Sequence, residues 1–271
     1  MSEQTRNDDQ PTAPYVRRPD PVVRAATVAD ITEALAQGLR DFQAAPLYGL
    51  TFGAFYAAGG IAIVLCAAAL GMSYLSYPLA AGFALIGPFV AVGLYEVSRR
   101  RELKAPLSWR AVCGAIMAQG RRELGWMAFV TLFVFIIWMY QVRLLLALFL
   151  GFRSFTSLNE FITVVTTTPD GLMFLVIGNM IGAALALLLF SLTVVSFPLL
   201  LERDVDFITA MITSVRAVTT SPLPMIGWAA VIATLLIVAS LPMFLGLVVV
   251  LPVLGHATWH LYRRIVAPVQ A

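Results

Sequence analysis

From Leu223 to Gly255 the chain runs 33 residues without a charged side chain. A helix needs about 20 apolar residues to cross a bilayer core, so this run holds either one tilted, kinked span or two short ones. It is introduced by a half-polar segment, DFITAMITSVRAVTTSP (206–222), and closed by a basic stop, HATWHLYRR (256–264). The pattern reads as a helix lying on a membrane surface, then a hairpin of two spanning helices turning around Ser240-Leu241-Pro242. A chain made of such units is all-α, because open sheet edges are not tolerated in lipid.

Variants of the same unit precede it. Asp30 and Glu33 have the spacing of a capping box with Asp30 as cap, and Ile31, Leu35, Leu39 and Phe42 recur at helical spacing, which predicts an interfacial amphipathic helix. A first span follows from about Pro46 to Leu70 and a second from about Tyr77 to Val97, ended by Arg99, Arg100 and Arg101. Trp109, Val112, Cys113, Ile116 and Met117 form the stripe of a second interfacial helix ending at Arg121-Arg122. A third span runs from Leu124 to about Leu150. SLNEFITVV (157–165) is a short interfacial helix, and Pro169-Asp170-Gly171 is a breaker before the fourth span, Leu172 to Leu201. The polar, proline-rich residues 1–29 read as a disordered cytoplasmic tail, and 30–266 as one polytopic membrane domain.

Charge sets the expected topology. Only 12% of residues are charged and the mean hydropathy is +0.86, whereas soluble domains carry about 25% charged residues. With six spans, 16 of the 18 Lys and Arg residues fall on one side, leaving Arg143 and Arg153 on the other. The positive-inside rule then places both termini in the cytoplasm. A five-span chain would put Arg263 and Arg264 outside. The same distribution removes nucleic acid as a reading of the basic balance. Cys66 and Cys113 lie in different segments, with no zinc-type spacing.

Self-comparison strengthens the unit. A shift of 176 places Asp30 on Asp206, Ala34 on Ala210, Arg40 on Arg216, Pro46 on Pro222 and Leu47 on Leu223. A shift of 164 places Pro88 on Pro252, Tyr95 on Trp259, and Arg99-Arg100 on Arg263-Arg264. The expected fold is therefore six transmembrane helices as three hairpins, each preceded by a cytoplasmic-side amphipathic helix. The repeats span about 30–101, 107–203 and 206–264.

At LYGLTFG (47–53), RDVDFITAMITSVRAV (203–218) and PVLGHATWHLYRR (252–264) the chain resembles bacterial integral membrane proteins catalogued as a domain of unknown function, family 2189. Some relatives carry a cytochrome c oxidase label, yet this chain lacks the membrane histidines of a haem–copper core. The resemblance implies a bacterial inner-membrane location and a respiratory association.

Several residues are candidates for chemistry. His256 and His260, the only two histidines, stand i, i+4 on one helix face, and the repeat puts Glu96 in the place of His260. Two His and a carboxylate can hold a metal, and the paired histidines could also serve haem. The competing reading makes them, with Trp259 and Tyr262, an interfacial belt that hydrogen-bonds headgroups or neighbouring helices and packs the bundle; proton handling is a third. Arg143, with Gln141 beside it, is either functional or a snorkelling anchor. Asn179 fits an interhelical hydrogen bond. Pro88, Pro198, Pro242 and Pro252 admit broken transporter helices or plain kinks. Arg99, Arg100, Arg101, Lys104, Arg121 and Arg122 form a cytoplasmic-side basic cluster that suits anionic lipid, unless the amphipathic helices are only struts. No nucleophile–base pair, P-loop or protease signature occurs, so neither an enzyme nor an obligatory cofactor is expected. The leading expectation is a non-enzymatic accessory, assembly or scaffolding factor, with the bilayer and another membrane protein or respiratory complex as partners. A small-molecule or ion transporter and a haem- or metal-binding protein are the alternatives.

Overall fold

The computed structural model describes residues 21–72, 79, 83, 87–120, 123–151, 155 and 157–267. Among them the architecture is helical: α1 (Val28–Ala44), α2 (Pro46–Ala69), α3 (Gly87–Glu102), α4 (Trp109–Gly120), α5 (Glu123–Leu145, extended by a π turn, Leu146–Leu150), α6 (Leu158–Thr167), α7 (Pro169–Thr193), α8 (Ser196–Glu202), α9 (Phe207–Thr220), α10 (Pro222–Ser240) and α11 (Leu247–Ile265). Four stretches are long and apolar enough to cross a membrane: Pro46–Ala69, Glu123–Leu150, Pro169–Glu202 and Pro222–Ser240. The expected second span falls largely outside the described residues, and α11 is not among the four because its second half, HATWHLYRR, carries the polar groups.

Local chemistry explains the boundaries. The cap of α1 is Thr27, one turn earlier than expected: its hydroxyl accepts from the Asp30 N–H, and the Asp30 carboxylate accepts from the Thr27 N–H at 2.9 Å. Asp30 is thus the N3 partner of the capping box and not its cap, and Glu33 instead binds Arg40 at 2.8 Å. Order also begins before residue 30: Val23 pairs with Val266 in an isolated antiparallel bridge, and the Arg24 N–H donates to the Ile265 carbonyl at 2.7 Å. The expected break before the fourth span falls at the extended Thr168, and Pro169 opens α7 at its first turn, after the Thr168 cap, where a missing N–H costs nothing. Pro198 cannot donate to the Val194 carbonyl, and the helix breaks at 194–195 between α7 and α8.

The 33-residue apolar run is two helices, α10 and α11, joined by a turn over 241–246. The joints between amphipathic helix and span are near-identical at both ends of the chain. Ala45 has φ −137°, ψ 54° before Pro46, and Ser221 has φ −138°, ψ 66° before Pro222.

The centre of the molecule is α11, enclosed by α1, α2 and α3. Of the expected lipid-facing stripe of α1, Leu39 is exposed, Leu35 and Phe42 are half-buried and Ile31 is buried; Ala34, Gly38 and Asp41 face inward with Ile31. Small residues let the backbones meet. A Cβ on Gly38 would lie 2.6 Å from the Ala257 nitrogen, and one on Gly53 of α2 would lie 2.4 Å from the Val248 carbonyl oxygen. By contrast, only 17% of the apolar stretch of α5 is buried, and Phe129, Phe133 and Tyr140 stand outward.

A candidate polar site where the helices converge

One end of the molecule gathers the polar ends of many helices. The end of α11 meets the start of α10 through the segment 23–26, where the Ala26 N–H donates to Ser221 Oγ at 2.7 Å. The start of α5 joins the start of α9, with the Phe207 N–H donating to Glu123 at 3.0 Å. The last turns of α3, α8 and α11 then interlock with α1. Arg99, Arg100, Arg101, Arg263 and Arg264 sit at helix C-termini, where the macrodipole favours cations, and each meets a carboxylate.

Asp41 of α1 is the hub. His260 Nε2 lies 2.8 Å from one carboxylate oxygen and Arg101 Nε 2.8 Å from the other. A carboxylate only accepts, so His260 carries its proton on Nε2. Burial pushes the Asp41 carboxyl up, but the hydrogen bonds from His260, Ser98 and Arg101 outweigh it and hold the group well below the usual carboxylate range. Trp259 Nε1 and Arg263 Nε both donate to Glu102, at 3.1 and 3.0 Å. Tyr262 and Arg263 donate to Glu202 of α8. Arg264 reaches Asp30 at 3.4 Å and Glu33 at 3.8 Å. A cleft of about 410 Å³ opens among Gln37, Asp41, Arg101, His260, Arg263 and Arg264.

The paired histidines turn to different side chains. His256 is fully buried, with Nδ1 2.8 Å from Ser98 Oγ and Nε2 without a hydrogen-bond partner; His260 turns to Asp41. Glu96, also fully buried, accepts from Arg100 at 2.6 Å and Arg99 at 3.1 Å. Repeat equivalence placed Glu96 and His260 at matching positions of different helices, which is not adjacency. Among the described residues no three His, Cys, Asp or Glu side chains are placed to hold a metal ion. Trp259 and Tyr262, each about 1% exposed, hydrogen-bond neighbouring helices inside the bundle, the part of the belt reading that the geometry favours over headgroup contact.

The remaining candidates are dispersed. Arg143 is exposed on α5 without an ion pair to a described residue, and Gln141 Nε2 is buried without a partner. The Asn179 amide donates to the Leu175 carbonyl of its own helix at 2.7 Å. Lys104 sits at φ 52° and closes α3: its N–H bonds the Arg101 carbonyl while the Ala105 N–H bonds the Arg100 carbonyl, a Schellman arrangement. Arg121 and Arg122 lie outside the described residues. Sequence reasoning passed over Asp41, Glu102 and Glu202. The signal for Asp41 was there, as Ala34, Gly38 and Asp41 make one small-residue stripe ending in an acid.

The Asp41 cluster predicts an acid limb. A carboxyl depressed in the folded state contributes stability above its unfolded value of 3.8 and loses it as pH falls through the lower folded value. The melting temperature in detergent is expected to stay level from about pH 8 to 5 and to fall below about pH 4. Asp41→Asn should flatten part of that fall; an unchanged acid limb in this variant would refute the role.

Comparison with curated proteins and with solved structures returned no match for the chain. A family model does match, over residues 76–202, from before α3 to the end of α8; α1, α2, α9, α10, α11 and both histidines lie outside that stretch. Over the matched residues, a little under half of the chain, the protein is similar to the DUF2189 family, described as a predicted integral membrane protein.

Proposed function

We propose that the protein is a non-enzymatic accessory or scaffolding component of a bacterial inner membrane. The observation that carries this reading is the contrast between the two parts of the molecule. Inside, cations and carboxylates of α1, α3, α8 and α11 are matched to one another in a clamp. Outside, α5 and α10 present apolar faces that are mostly exposed, so the capacity to bind lies on the lipid-level surface. The partner is another membrane protein, and the family resemblance favours a respiratory complex. Co-purification from native membranes in mild detergent, with mass spectrometry, tests this. A stoichiometric membrane partner is expected; recovery of the protein alone would refute it.

The same reading takes the chain across the membrane six times, as three hairpins with both termini cytoplasmic. What supports it is that the starts of α5 and α10 and the ends of α8 and α11 are drawn to one polar end. That end also carries Arg99, Arg100, Arg101, Arg263 and Arg264, as the positive-inside rule requires of a cytoplasmic face. The matching joints at Ala45 and Ser221 support the repeat. In a background with Cys66 and Cys113 replaced by Ala, Met72→Cys should react with an impermeant maleimide on intact cells. Lys104→Cys should react only after lysis. The reverse pattern would overturn the orientation.

A further inference from the structure

A second cleft lies on the outer side of α9, away from the polar clamp. The inward face of α9 is small and polar, with Ala210, Thr213, Ser214 and Ala217 buried against the rest of the molecule. Ser214 Oγ accepts from the Val195 N–H at 3.1 Å and so docks α9 at the α7–α8 break. The opposite face is apolar: Ile208 and Ile212 are about half exposed, at 52% and 47%, with Met211 and Val215 beside them. With Leu192 of α7 these residues enclose a groove of about 310 Å³, and Arg216 is the one charged residue among the described residues that line it. Ile208, Ile212 and Arg216 stand i, i+4, i+8, so an apolar stripe ends in a cation.

The guanidinium of Arg216 is exposed and makes no ion pair or hydrogen bond with any described residue, whereas its counterpart in α1 makes both. Arg40, at the equivalent position of the first unit, is held by Glu33 at 2.8 Å and by the Ala36 carbonyl at 3.3 Å. In α9 the place of Glu33 is taken by Thr209, which turns to the Asp206 cap. One copy of the helix is therefore neutralised and bound to α11, and the other offers its cation outward. The groove also sits beside the end of α7, on an amphipathic helix of the kind that lies along a membrane surface. An occupant that fits has a long apolar body and an anion at one end, and a guanidinium presents paired donors to a phosphate.

We propose that this groove binds an anionic phospholipid, its acyl chain along Ile208, Met211, Ile212 and Leu192 and its phosphate on Arg216. A zwitterionic lipid brings its own cation beside the phosphate and gains less from Arg216. The site holds the amphipathic helix in the leaflet facing the polar end of the molecule, whatever protein partner the chain serves.

The test is native mass spectrometry of the full-length protein in detergent, titrated with phosphatidylglycerol and with phosphatidylcholine. Wild type should bind phosphatidylglycerol more tightly. Arg216→Gln should weaken that binding about fivefold and remove most of the preference, while Arg216→Lys keeps most of it. Arg40→Gln, the paired counterpart, should bind as wild type. Ile212→Trp, which fills the groove, should weaken both lipids; Arg216→Gln changes only an exposed side chain and stays informative if Ile212→Trp does not fold. Unchanged phosphatidylglycerol binding in Arg216→Gln would overturn the proposal. So would inorganic phosphate competing as effectively as the lipid, which would mark a site for a free anion.

Discussion

Gly38→Ala is expected to be among the most damaging single-methyl changes in this protein. The added carbon would lie 2.6 Å from the Ala257 nitrogen, 2.8 Å from the Val253 carbonyl oxygen and 2.9 Å from the Ala257 Cα. All three are backbone atoms, so no side chain can rotate away, and α1 must move off α11. Overpacking of this kind costs about 1–3 kcal/mol, occasionally more. Here the shift also strains the Asp41–His260 and Asp30–Arg264 contacts, which argues for about 3 kcal/mol. The melting temperature in detergent should fall by roughly 5–10 °C. Gly227→Ala is the matched control. Nothing lies within 4 Å of its added carbon, and a helical glycine replaced by alanine gains about 0.5–1 kcal/mol in propensity. If the two variants melt alike, α1 and α11 do not meet backbone to backbone.

Asp41→Ala is the second large effect. It leaves the His260 N–H without its acceptor and removes the partner of Arg101 at a site where the aspartate is 7% exposed. Breaking a buried pair by deleting one member costs about 3–5 kcal/mol. Arg101 is 35% exposed in its side chain and can recover water, which lowers the expectation to about 2–3 kcal/mol. The double variant Asp41→Ala/His260→Gln should lose less than the sum of the singles, by about 1 kcal/mol or more. Strict additivity would show that the two side chains do not interact.

These two sites show where reading the chain stopped. The helix starts were legible to within one turn because caps are local: Thr27, Ser157 and Asp206 each accept from a backbone N–H three residues on. The apolar helices were legible because lipid demands continuous hydropathy. What was misplaced followed from pairing rules that periodicity does not contain. Leu39, on the membrane-facing stripe of α1, is exposed, while Ile31 of the same stripe and Asp41 outside it are buried. Helical spacing gives each residue a face but does not say which face meets a neighbour. The histidines were read as a pair because they are i, i+4, yet each spends a nitrogen on a different helix, Ser98 of α3 and Asp41 of α1. Glu102 and Glu202, at helix ends and without a pattern of their own, are the acceptors of Trp259, Tyr262 and Arg263.

The amino-acid sequence by itself determined the membrane class, the order of the helices and the crowding of positive charge toward one end, since hydropathy, caps and charge act through neighbours in the chain. The tertiary structure alone decided that α11 is the buried centre, that Asp41 finds His260 across 219 residues, and that Arg40 is neutralised while Arg216 is left outward. The physical reason is the crossing of α1 over α11. Its closeness depends on the absence of a side chain at Gly38, and the polar partners follow from that contact rather than from any spacing along the chain.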